Sequence, residues 1–561
     1  MARKAATIGV DVGTSGAKGV LVAENGEVLA RRTLGYPLAT PRPGWTEQDP
    51  EAWWGAARDI LRHLTSAVSG AEIAGVGLSG QMHGSVFLDR DERVIRPALL
   101  WNDARTDEEC AEIERRVGAE RVIAITGNRA SAGFQAPKIL WLRRHEPEAY
   151  ARLARVLLPK DLLRLRLTGQ AATDASDASG TLLLDLAQRR YSREIIEALE
   201  IPAAWLPQVH ESADVTGRVT EQAAAETGLP AGTPVVAGGG DNACAAIGAG
   251  IIAEGQGAVS IGTSGTIFLR GERPLLEPEG ALNAFCDAAR GWHLMGVILN
   301  AGGALRWFAD AVAGLEAEAL RQAGLDPFAV LVDQALALPE GADGLLFLPY
   351  LTGERSPHND ARARGAWVGL SLAHDRRHML RALLDGVGFA FADCLERMRS
   401  LGMQPQGLQL VGGGARNAAW RRLLATQLRV RLATPAAEEG PALGAAILAR
   451  LGSGVDTDLA AAVARVPRVG RADVRAFAVP ELIRLLTVLP MLAARLAAVL
   501  GAAAPRALPR AAPSFMMTLR GLTLCHGDAP LLQLSCMQQS ARRLSACARR
   551  ETINDAAESA L

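Results

Sequence analysis

The sequence predicts an α/β protein built from two similar domains. Its 561 residues exceed what a single hydrophobic core usually supports. Strand-like and helix-like runs alternate through most of the chain, as in α/β proteins. In addition, the tetrapeptide Gly-Thr-Ser-Gly occurs twice, at Gly13–Gly16 and at Gly262–Gly265. Because the two copies lie about half the folded length apart, they indicate a duplicated fold with one copy in each domain.

Both copies of the tetrapeptide are predicted to be the tips of β-hairpins. Apolar runs flank the first copy at 6–12 and 19–22, and the second copy at 257–261 and 266–269. Such a strand–turn–strand tip presents backbone N–H groups and hydroxyls. Two facing tips of this kind are suited to hold an anion such as phosphate.

Composition and charge limit the possible functions. Lys and Arg total 60, as do Asp and Glu, and this balance argues against nucleic acid or an anionic membrane as a partner. None of the seven cysteines forms a C-x-x-C pair, which predicts reduced thiols and neither disulfides nor a zinc site. The chain enters an apolar strand almost at once, leaving no room for a signal peptide. The apolar run 485–504 contains Pro490 and Arg495 and predicts a helix against a core. A cytoplasmic enzyme is therefore expected.

Four segments are expected along the chain. The first domain spans 1–250 and carries the first hairpin, and the second spans 251–455. Residues 456–504 are predicted to form a C-terminal helical segment. Residues 505–561, with weak periodicity, are predicted to be a disordered or atypical extension, with an amphipathic partner-binding helix as the alternative.

Asp11 and Lys18 flank the first Gly-Thr-Ser-Gly turn. A carboxylate beside phosphates is repelled unless a cation lies between them, so Asp11 favours a Mg²⁺ site, bound directly or through water. Lys18 could place a positive charge on a terminal phosphate. The alternative is a turn-capping aspartate and a surface lysine. The second copy has Ser260 and Ile267 at the equivalent sequence positions, so it can offer phosphate hydrogen bonds but no charge.

Asp241 and Asn242 follow three glycines at the end of the apolar run 233–237. Ligands of open α/β sheets bind at the carboxyl ends of strands, and glycines permit close approach to the backbone. Asp241 is thus a candidate general base that takes a proton from a substrate hydroxyl, with Asn242 holding a neighbouring hydroxyl. Equally, Asp241 could do no more than cap the helix predicted at 243–249. The spacing does not separate these two readings.

Two further polar segments suggest a binding role. Gln81, Met82 and His83 follow the predicted strand 74–79 and suit a polyol, although a lone histidine is more often structural. The charged segment Gly353–Asn359 has a solvated loop as its alternative.

A glycine turn, Gly412–Gly414, ends the predicted strand 408–411 in the second half. It leads into a helix predicted from Asn417 to Leu428. Such a turn suits the close approach of a flat base or a ribose.

Taken together, these segments resemble the FGGY carbohydrate kinases, members of the actin, sugar kinase and Hsp70 ATPase superfamily. The resemblance covers about residues 6–452. The segments that carry it are Asp11–Lys18, Trp45–Pro50, Gly80–Gly84, Trp101–Arg105, Ala136–Trp141, Leu158–Asp161, Gly238–Asn242, Leu348–Arg355, Gly365–Leu370, His378–Met379 and Ala382–Asp385.

This resemblance implies a fold and a reaction. The fold would be two ribonuclease-H-like domains of the actin-like ATPase type, with a cleft between them. Gly80–Gly84 followed by Trp101–Asp103 is most similar to the branch that uses ATP to convert the ketopentose D-xylulose to D-xylulose 5-phosphate. Alternatives are a family kinase for ribulose, gluconate or glycerol, and more remotely a superfamily ATPase, a phosphate-ester hydrolase or a sugar sensor without activity.

The resemblance also implies residue roles. Asp241 would be the catalytic base, and Asp11 would help to hold Mg²⁺. The residues implied to contact the sugar are Met82, His83, Asn242 and Asp241. Those implied to contact ATP are Thr14, Ser15, Lys18, Gly262, Thr263 and Ser264 at the phosphates and Gly413, Gly414 and Asn417 at the adenosine. A homodimer is a family-level expectation.

The sequence departs from the family pattern in two places. Gln135 stands where the family usually has Ser, Thr or Pro. The resemblance weakens beyond about residue 455 and has ended by residue 504.

Overall fold

A computed structural model describes residues 5–67, 72–434 and 440–466, together with two short strands near the C-terminus. The chain divides into two compact units, Met1–Leu489 and Pro490–Leu561. In the second unit the described strands, Leu524–His526 and Ala529–Leu531, pair antiparallel. Apart from these strands and the helix at 459–464, the predictions for 456–504 and 505–561 lie outside the described residues. The following concerns the first unit.

The strands of the first unit are numbered in chain order. They are β1 (Ala5–Val12), β2 (Gly16–Ala23), β3 (Val28–Gly35), β4 (Glu47–Gln48), β5 (Glu72–Gly80), β6 (Val86–Leu88), β7 (Ala98–Leu99), β8 (Arg155–Leu157), β9 (Ala172–Asp174), β10 (Leu184–Asp185), β11 (Arg190–Tyr191), β12 (Gln208–His210), β13 (Val215–Arg218), β14 (Pro234–Val236), β15 (Gly239–Gly240), β16 (Gln256–Ile261), β17 (Gly265–Gly271), β18 (Asn283–Cys286), β19 (Trp292–Ile298), β20 (Leu346–Leu348), β21 (Ala366–Val368), β22 (Gly407–Val411) and β23 (Leu432–Ala433).

The α-helices are numbered in the same way. They are α1 (Pro50–Ser66), α2 (Asp107–Val117), α3 (Ala119–Thr126), α4 (Gln135–His145), α5 (Pro147–Arg152), α6 (Pro159–Thr168), α7 (Ala175–Ala178), α8 (Arg193–Ala198), α9 (Glu221–Thr227), α10 (Asp241–Gly248), α11 (Gly302–Ala311), α12 (Gly314–Gln322), α13 (Pro327–Leu336), α14 (Arg376–Ser400), α15 (Ala418–Leu428), α16 (Gly440–Gly452) and α17 (Leu459–Ala464).

Helix starts follow from capping residues in the sequence. The Asp49 carboxylate accepts the Glu51 N–H at 3.0 Å, and Pro50 occupies the first helical position of α1. Asn417 caps α15, and its side-chain oxygen accepts N–H groups from Ala419 and Trp420, each at 2.9 Å. Helix α15 therefore begins where the sequence predicts it.

The first sheet has the strand order β13-β14-β5-β1-β2-β3, and β15 also pairs with β5. β1 and β2 are antiparallel, as are β2 and β3, whereas β5 is parallel to β1 and β14 is parallel to β5. The runs around Gly13–Gly16 therefore form the predicted hairpin.

The second sheet has the order β18-β19-β17-β16-β22-β23. β16 and β17 form an antiparallel hairpin, β19 is antiparallel to β17, and β22 and β23 continue the sheet in parallel to β16. The segments β3-β2-β1-β5-β14 and β19-β17-β16-β22-β23 thus share one arrangement. The duplication predicted from the repeated tetrapeptide is confirmed.

Helix α16 connects the end of the second half to the first sheet. A Cβ atom added at Gly9 of β1 would lie 1.9 Å from the Ala442 carbonyl oxygen, and one at Gly77 of β5 would lie 1.9 Å from that of Ala445. A Cβ atom on Gly444 of the helix would lie 1.8 Å from the Cys244 carbonyl oxygen in α10. The helix thus supports both the strand that carries Asp11 and the helix that begins at Asp241.

Apolar side chains from both halves share the core. One buried cluster includes Met82 and Phe87 from the first half and Phe268, Phe285 and Met295 from the second. None of the described helices combines the length and apolar character needed to cross a membrane. The described cysteines, Cys110, Cys244, Cys286 and Cys394, are free thiols.

Candidate active site

The first hairpin turn is held by side chains that follow other strands. The Thr14 hydroxyl donates to the Gln81 side-chain oxygen at 3.1 Å and accepts from the Trp101 indole N–H at 2.9 Å. Gln48 donates to the Thr14 carbonyl at 2.7 Å. Thr14 therefore uses its hydroxyl proton within the protein, and the Gly13 N–H closes the turn by donating to the Gly16 carbonyl at 3.0 Å. The neighbouring Ser15 is exposed.

Asp11 lies in a desolvated position at the end of β1. The Ser79 hydroxyl donates to Asp11 Oδ1 at 2.9 Å, and Asp11 is paired with Lys18 across the hairpin. Burial raises the pKa of Asp11 to about 6, although Ser79 and the Lys18 charge oppose the increase. A carboxylate in this situation gains free energy when a cation lies beside it.

The second hairpin differs from the first in its register. Ile261 pairs with Gly265, so Ser260 faces Thr266, whereas Asp11 of the first hairpin faces Lys18. Counted from the tetrapeptide, Ile267 corresponds to Lys18, whereas in the structure Thr266 is the residue that pairs across the hairpin with Ser260. With either residue, the second hairpin lacks a charged pair like that of Asp11 and Lys18.

Asp241 is the first residue of α10 and follows a backbone that requires glycine. Gly238 has a φ of +72°, and a Cβ atom there would lie 1.9 Å from the Leu78 carbonyl oxygen. A Cβ atom on Gly240 would lie 2.8 Å from Met82 Cγ. These close contacts place Asp241 beside the end of β5, where the other predicted sugar residues begin.

The environment of Asp241 suits a base that works near neutral pH. Burial, and to a smaller extent the negative charge of Asp11, raise its pKa to about 7 against the opposing effect of the Asn242 N–H. That N–H donates to Asp241 Oδ1 at 2.7 Å. Gly240 occupies the N-cap position of α10, which has no side-chain cap, so the Asp241 side chain accepts this hydrogen bond from within the first turn. Its desolvation beside a second carboxylate goes beyond what capping requires.

His83 is held as a neutral imidazole of one tautomer. Its Nδ1 lies 2.7 Å from the Gly180 carbonyl oxygen, which can only accept, so Nδ1 carries the proton. Burial lowers the pKa of His83 to about 3, and the charges of Lys138 and Arg355 lower it as well, against the Gly180 hydrogen bond. Nε2 is therefore an acceptor for a ligand hydroxyl.

Met82 and Asn242 complete this group. Met82 is buried, and the Asn242 amide lies 3.9 Å from its sulfur. The structure therefore brings together Asp241, Asn242, Met82 and His83, which the sequence predicted from two separate segments.

Lys138 is a supporting residue to which the sequence analysis gave no role. Its buried ammonium donates to the carbonyl oxygens of His83 at 2.9 Å and Gly133 at 2.6 Å. His83 has a φ of +67°, an uncommon conformation for a residue with a Cβ atom, and this hydrogen bond helps to hold it. The signal in the sequence was a lysine within the family-like segment Ala136–Trp141.

The second hairpin turn meets the glycine turn of the second half. A Cβ atom on Gly414 would lie 2.5 Å from Ile261 Cγ2, at the end of β16, whereas one on Gly413 would meet no atom within 4 Å. Gly413 is therefore open to a ligand, and Gly262, Thr263 and Ser264 are exposed.

The start of α11 supports this turn and was missed by the sequence analysis. Gly302 N–H donates to the Gly262 carbonyl at 2.8 Å, and Gly303 N–H donates to the Thr263 carbonyl at 2.9 Å. A Cβ atom on Gly302 would lie 2.5 Å from the Gly262 oxygen. The sequence signal for this contact was the pair of adjacent glycines, Gly302 and Gly303, which follows β19.

Both the oxygen and the nitrogen of the Asn417 side chain make hydrogen bonds within the protein. Besides capping α15, its amide donates to Asp333 Oδ1 at 2.8 Å. The side chain thus links the start of α15, beside the glycine turn, to α13.

The charged turn at 353–359 is anchored to the second sheet. Glu354 Oε1 accepts from Leu299 N–H at 2.9 Å and from Arg355 N–H at 2.8 Å, and Ser356 N–H donates to Val297 O at 2.9 Å. The Arg355 charge reaches His83 of the first half. This segment is therefore hydrogen-bonded to the end of the second sheet and is not only a solvated loop.

With this fold and this group of residues, the chain matches two family models, and it belongs to the FGGY family of carbohydrate kinases. Residues 6–248 match the N-terminal domain of that family and residues 257–452 its C-terminal domain. The predicted fold class, α/β with two ribonuclease-H-like domains of the actin-like ATPase type, is confirmed by solved structures of this family.

The chain is similar to particular members of the family. It is 42% identical over 465 residues to the xylulose kinase of Escherichia coli K12, covering 82% of this chain and 93% of that protein. The crystal structure of a xylulose kinase from Rhodospirillum rubrum is 31% identical, with a TM-score of 0.80 and coverage of 88% and 98%. The gluconokinase of Bacillus subtilis is 29% identical over 454 residues, covering 80% and 87%.

Proposed function

We propose that this protein transfers the γ-phosphoryl group of ATP to D-xylulose, giving D-xylulose 5-phosphate and ADP. The observation that carries the proposal is the half-buried carboxylate of Asp241, whose pKa is raised to about 7. The charge of Asp11 on the phosphate side acts on this carboxylate, the Asn242 N–H donates to it, and the preceding Gly240 packs against Met82. The greater identity to the xylulose kinase than to the gluconokinase supports the choice of sugar.

The reaction uses Asp241 as general base. The oxygen of the sugar's primary hydroxyl forms a bond to the γ-phosphorus, the bond from that phosphorus to the β,γ-bridging oxygen breaks, and ADP leaves. The hydroxyl proton passes to the Asp241 carboxylate and then to solvent. Because phosphoryl transfer depends mainly on positioning and charge stabilisation, one base and well-placed N–H groups suffice for the protein's part.

Substrate positioning is assigned to residues of both halves. His83 Nε2 accepts a hydrogen bond from one sugar hydroxyl, and Asn242 binds a second hydroxyl. Met82 packs against the carbon chain of the sugar. The turns at Thr14–Ser15 and Gly262–Ser264, with Lys18, contact the ATP phosphates. Gly413 and Gly414 face the adenosine, and Asn417 positions the helix beside it.

Asp11 is the residue assigned to Mg²⁺. It is a desolvated carboxylate at a phosphate-type turn, and Mg²⁺ usually takes one or two protein carboxylates together with water and phosphate oxygens. When bound, the ion neutralises charge on the phosphates. Among the described residues, no group of three or more His, Cys, Asp or Glu side chains is arranged to hold a metal by itself.

The family resemblance supports three further assignments. The first domain would comprise residues 1–250 and the second residues 251–455. The protein would act in the cytoplasm without a membrane or nucleic-acid partner. It would form a homodimer, which sedimentation of the purified protein tests.

A substrate panel with product analysis tests the proposed reaction. ATP consumption is measured with D-xylulose, L-ribulose, glycerol and gluconate, and without sugar. We expect D-xylulose to give the highest kcat/KM and a sugar phosphate as product. A preference for L-ribulose, glycerol or gluconate would show that the protein is a family kinase for that substrate and not for D-xylulose. ATP hydrolysis that ignores the sugar would indicate an ATPase or a hydrolase instead.

A further inference from the structure

A fully buried group of charged side chains lies behind the strand end that leads to Asp241. Lys160 Nζ is 2.6 Å from Asp161 Oδ1, 3.0 Å from Asp174 Oδ1 and 3.5 Å from Asp177 Oδ2. Burial by itself lowers the pKa of Lys160, but the three carboxylates outweigh this and raise it. The lysine is therefore protonated and ties these carboxylates together.

The second oxygen of Asp174 extends this group toward the active site. Asp174 Oδ2 accepts hydrogen bonds from the Ser176 hydroxyl at 2.5 Å, the Ser176 N–H at 2.8 Å and the Ser212 hydroxyl at 3.0 Å. Since the Ser176 hydroxyl gives its proton to Asp174, its oxygen is free to accept. It accepts from the Gly240 N–H at 3.1 Å. The ion pair of Lys160 with Asp174 and the hydrogen bonds through Ser176 thus connect this charged group to the residue before Asp241.

Contacts with other segments fix the strand end at Gly238–Gly240, whose residues Gly239 and Gly240 pair with β5. Glycines restrict their own backbone less than any other residue, so three in succession do not by themselves define one direction for the following side chain. Gly240 is buried, and an unsatisfied buried N–H group costs about 1–3 kcal/mol. The Ser176 hydroxyl satisfies the N–H group of Gly240, the residue that directly precedes Asp241.

We propose that Ser176, held by Asp174, is a positioning residue for the general base. By accepting the Gly240 N–H, it sets the backbone from which the Asp241 carboxylate reaches the sugar hydroxyl. This inference rests on the role of Asp241 in the proposed function. It assigns Ser176 no contact with the substrate.

Ser212 provides a matched control. Its hydroxyl is also buried and donates to the same Asp174 oxygen, whereas the Gly240 N–H bonds the Ser176 hydroxyl. Ser176→Ala and Ser212→Ala therefore remove the same chemical group from the same acceptor. They differ in the link to Gly240.

The first measurement compares kcat and KM in the two variants. We expect Ser176→Ala to lower kcat at least about 10-fold, since small displacements of catalytic groups can cost up to about 100-fold. KM for ATP should stay within about twofold, and Ser212→Ala should keep kcat within about threefold. If Ser176→Ala is insoluble, Ser176→Cys keeps the volume with a weaker acceptor, and the same loss relative to Ser212→Ala is expected. Equal kcat values in the serine variants would overturn the proposal.

The second measurement is a double-mutant cycle with Asp241→Asn, using labelled ATP to follow slow transfer. If Ser176 acts through Asp241, the double variant should be no slower than Asp241→Asn alone. If the rate loss of the double variant equals the product of the losses in the two single variants, Ser176 acts independently of Asp241 and the proposal is overturned. Failure of the proposed function is distinguishable, because the wild-type protein would then lack sugar-dependent transfer altogether.

Discussion

Asp241 and Asp11 show how burial determines the chemistry of a carboxylate. Each has a pKa above its ordinary value chiefly because burial disfavours the charged form. At Asp241 the charge of Asp11 adds to this effect, so that the two carboxylates are unequal. The pKa of Asp241 therefore lies near neutral pH, where a general base is effective.

Replacing Asp241 by asparagine tests its role as base. The amide preserves the size of the side chain but cannot take the hydroxyl proton. We expect Asp241→Asn to retain ATP binding and to reduce the rate of phosphoryl transfer at least about 100-fold. Single-turnover transfer and ATP titration measure the two quantities.

A surface carboxylate serves as control for this variant. Asp310 lies on α11, is more than half exposed and pairs with Arg321 at 3.2 Å. Asp310→Asn should leave the rate within about twofold. Near-normal turnover of Asp241→Asn would show that another residue is the base.

The pH dependence of kcat/KM follows from the raised pKa of Asp241. Below about pH 7 the carboxyl is increasingly protonated and cannot act as base, so activity should fall as pH decreases through that value. His83 stays neutral throughout, because its pKa is lowered to about 3. The sugar is varied at each pH, and Asp241→Asn should lack this acidic limb. A flat profile between about pH 6 and 8 would contradict the assignment.

At the scale of elements, helix α16 fits the first sheet because glycines remove side chains at the contact. Gly9 and Gly77 let the backbone of the helix approach β1 and β5, and Gly444 lets it approach α10. Close approach of this kind leaves no space for a methyl group, since the opposing atoms are backbone.

Alanine at these glycines should destabilise the protein strongly. In Gly9→Ala and Gly77→Ala the new Cβ would lie 1.9 Å from a carbonyl oxygen, so the helix must move. Overpacking typically costs about 1–3 kcal/mol, and we expect at least about 3 kcal/mol here because backbone cannot rotate away. Thermal and urea unfolding measure the change.

Gly55 of α1 is the control for this prediction. A Cβ atom there meets nothing within 4 Å. Gly55→Ala should therefore be neutral or stabilise the helix by up to about 1 kcal/mol. Equal stability of Gly9→Ala and Gly55→Ala would refute the packing argument.

At the scale of the whole molecule, the family match and the chain differ in extent. The match to the C-terminal family domain ends at residue 452, whereas the chain continues to residue 561. We therefore expect truncation after Ala504 to leave kcat and KM for sugar and ATP within about twofold of the full chain. An insoluble or inactive truncated protein would show that the later residues belong to a core.

Much of the fold could be predicted from the sequence because its signals are local. The repeated tetrapeptide between apolar runs predicts the two hairpins, and Asn417 predicts a helix start through its own side chain. The family resemblance joined Met82 and His83 with Asp241, although these residues come from separate segments.

The remaining features could not be predicted because they depend on contacts distant in sequence. Lys138 bonds the carbonyl of His83, the start of α11 bonds the second hairpin turn, and the register of that hairpin differs from the first. The link from Ser176 to Gly240 joins residues 64 positions apart.

By itself, then, the sequence determined the duplicated α/β plan, the two phosphate-type turns and the candidate base, because turn chemistry, capping and hydrophobic periodicity act between near neighbours. The tertiary structure decided which protonation states these residues hold. A pKa depends on how many atoms exclude water and which charges lie nearby. Burial of Asp241 beside Asp11, and of His83 against Gly180, brings together residues far apart in the chain. Folding thereby turns an aspartate after three glycines into a candidate base.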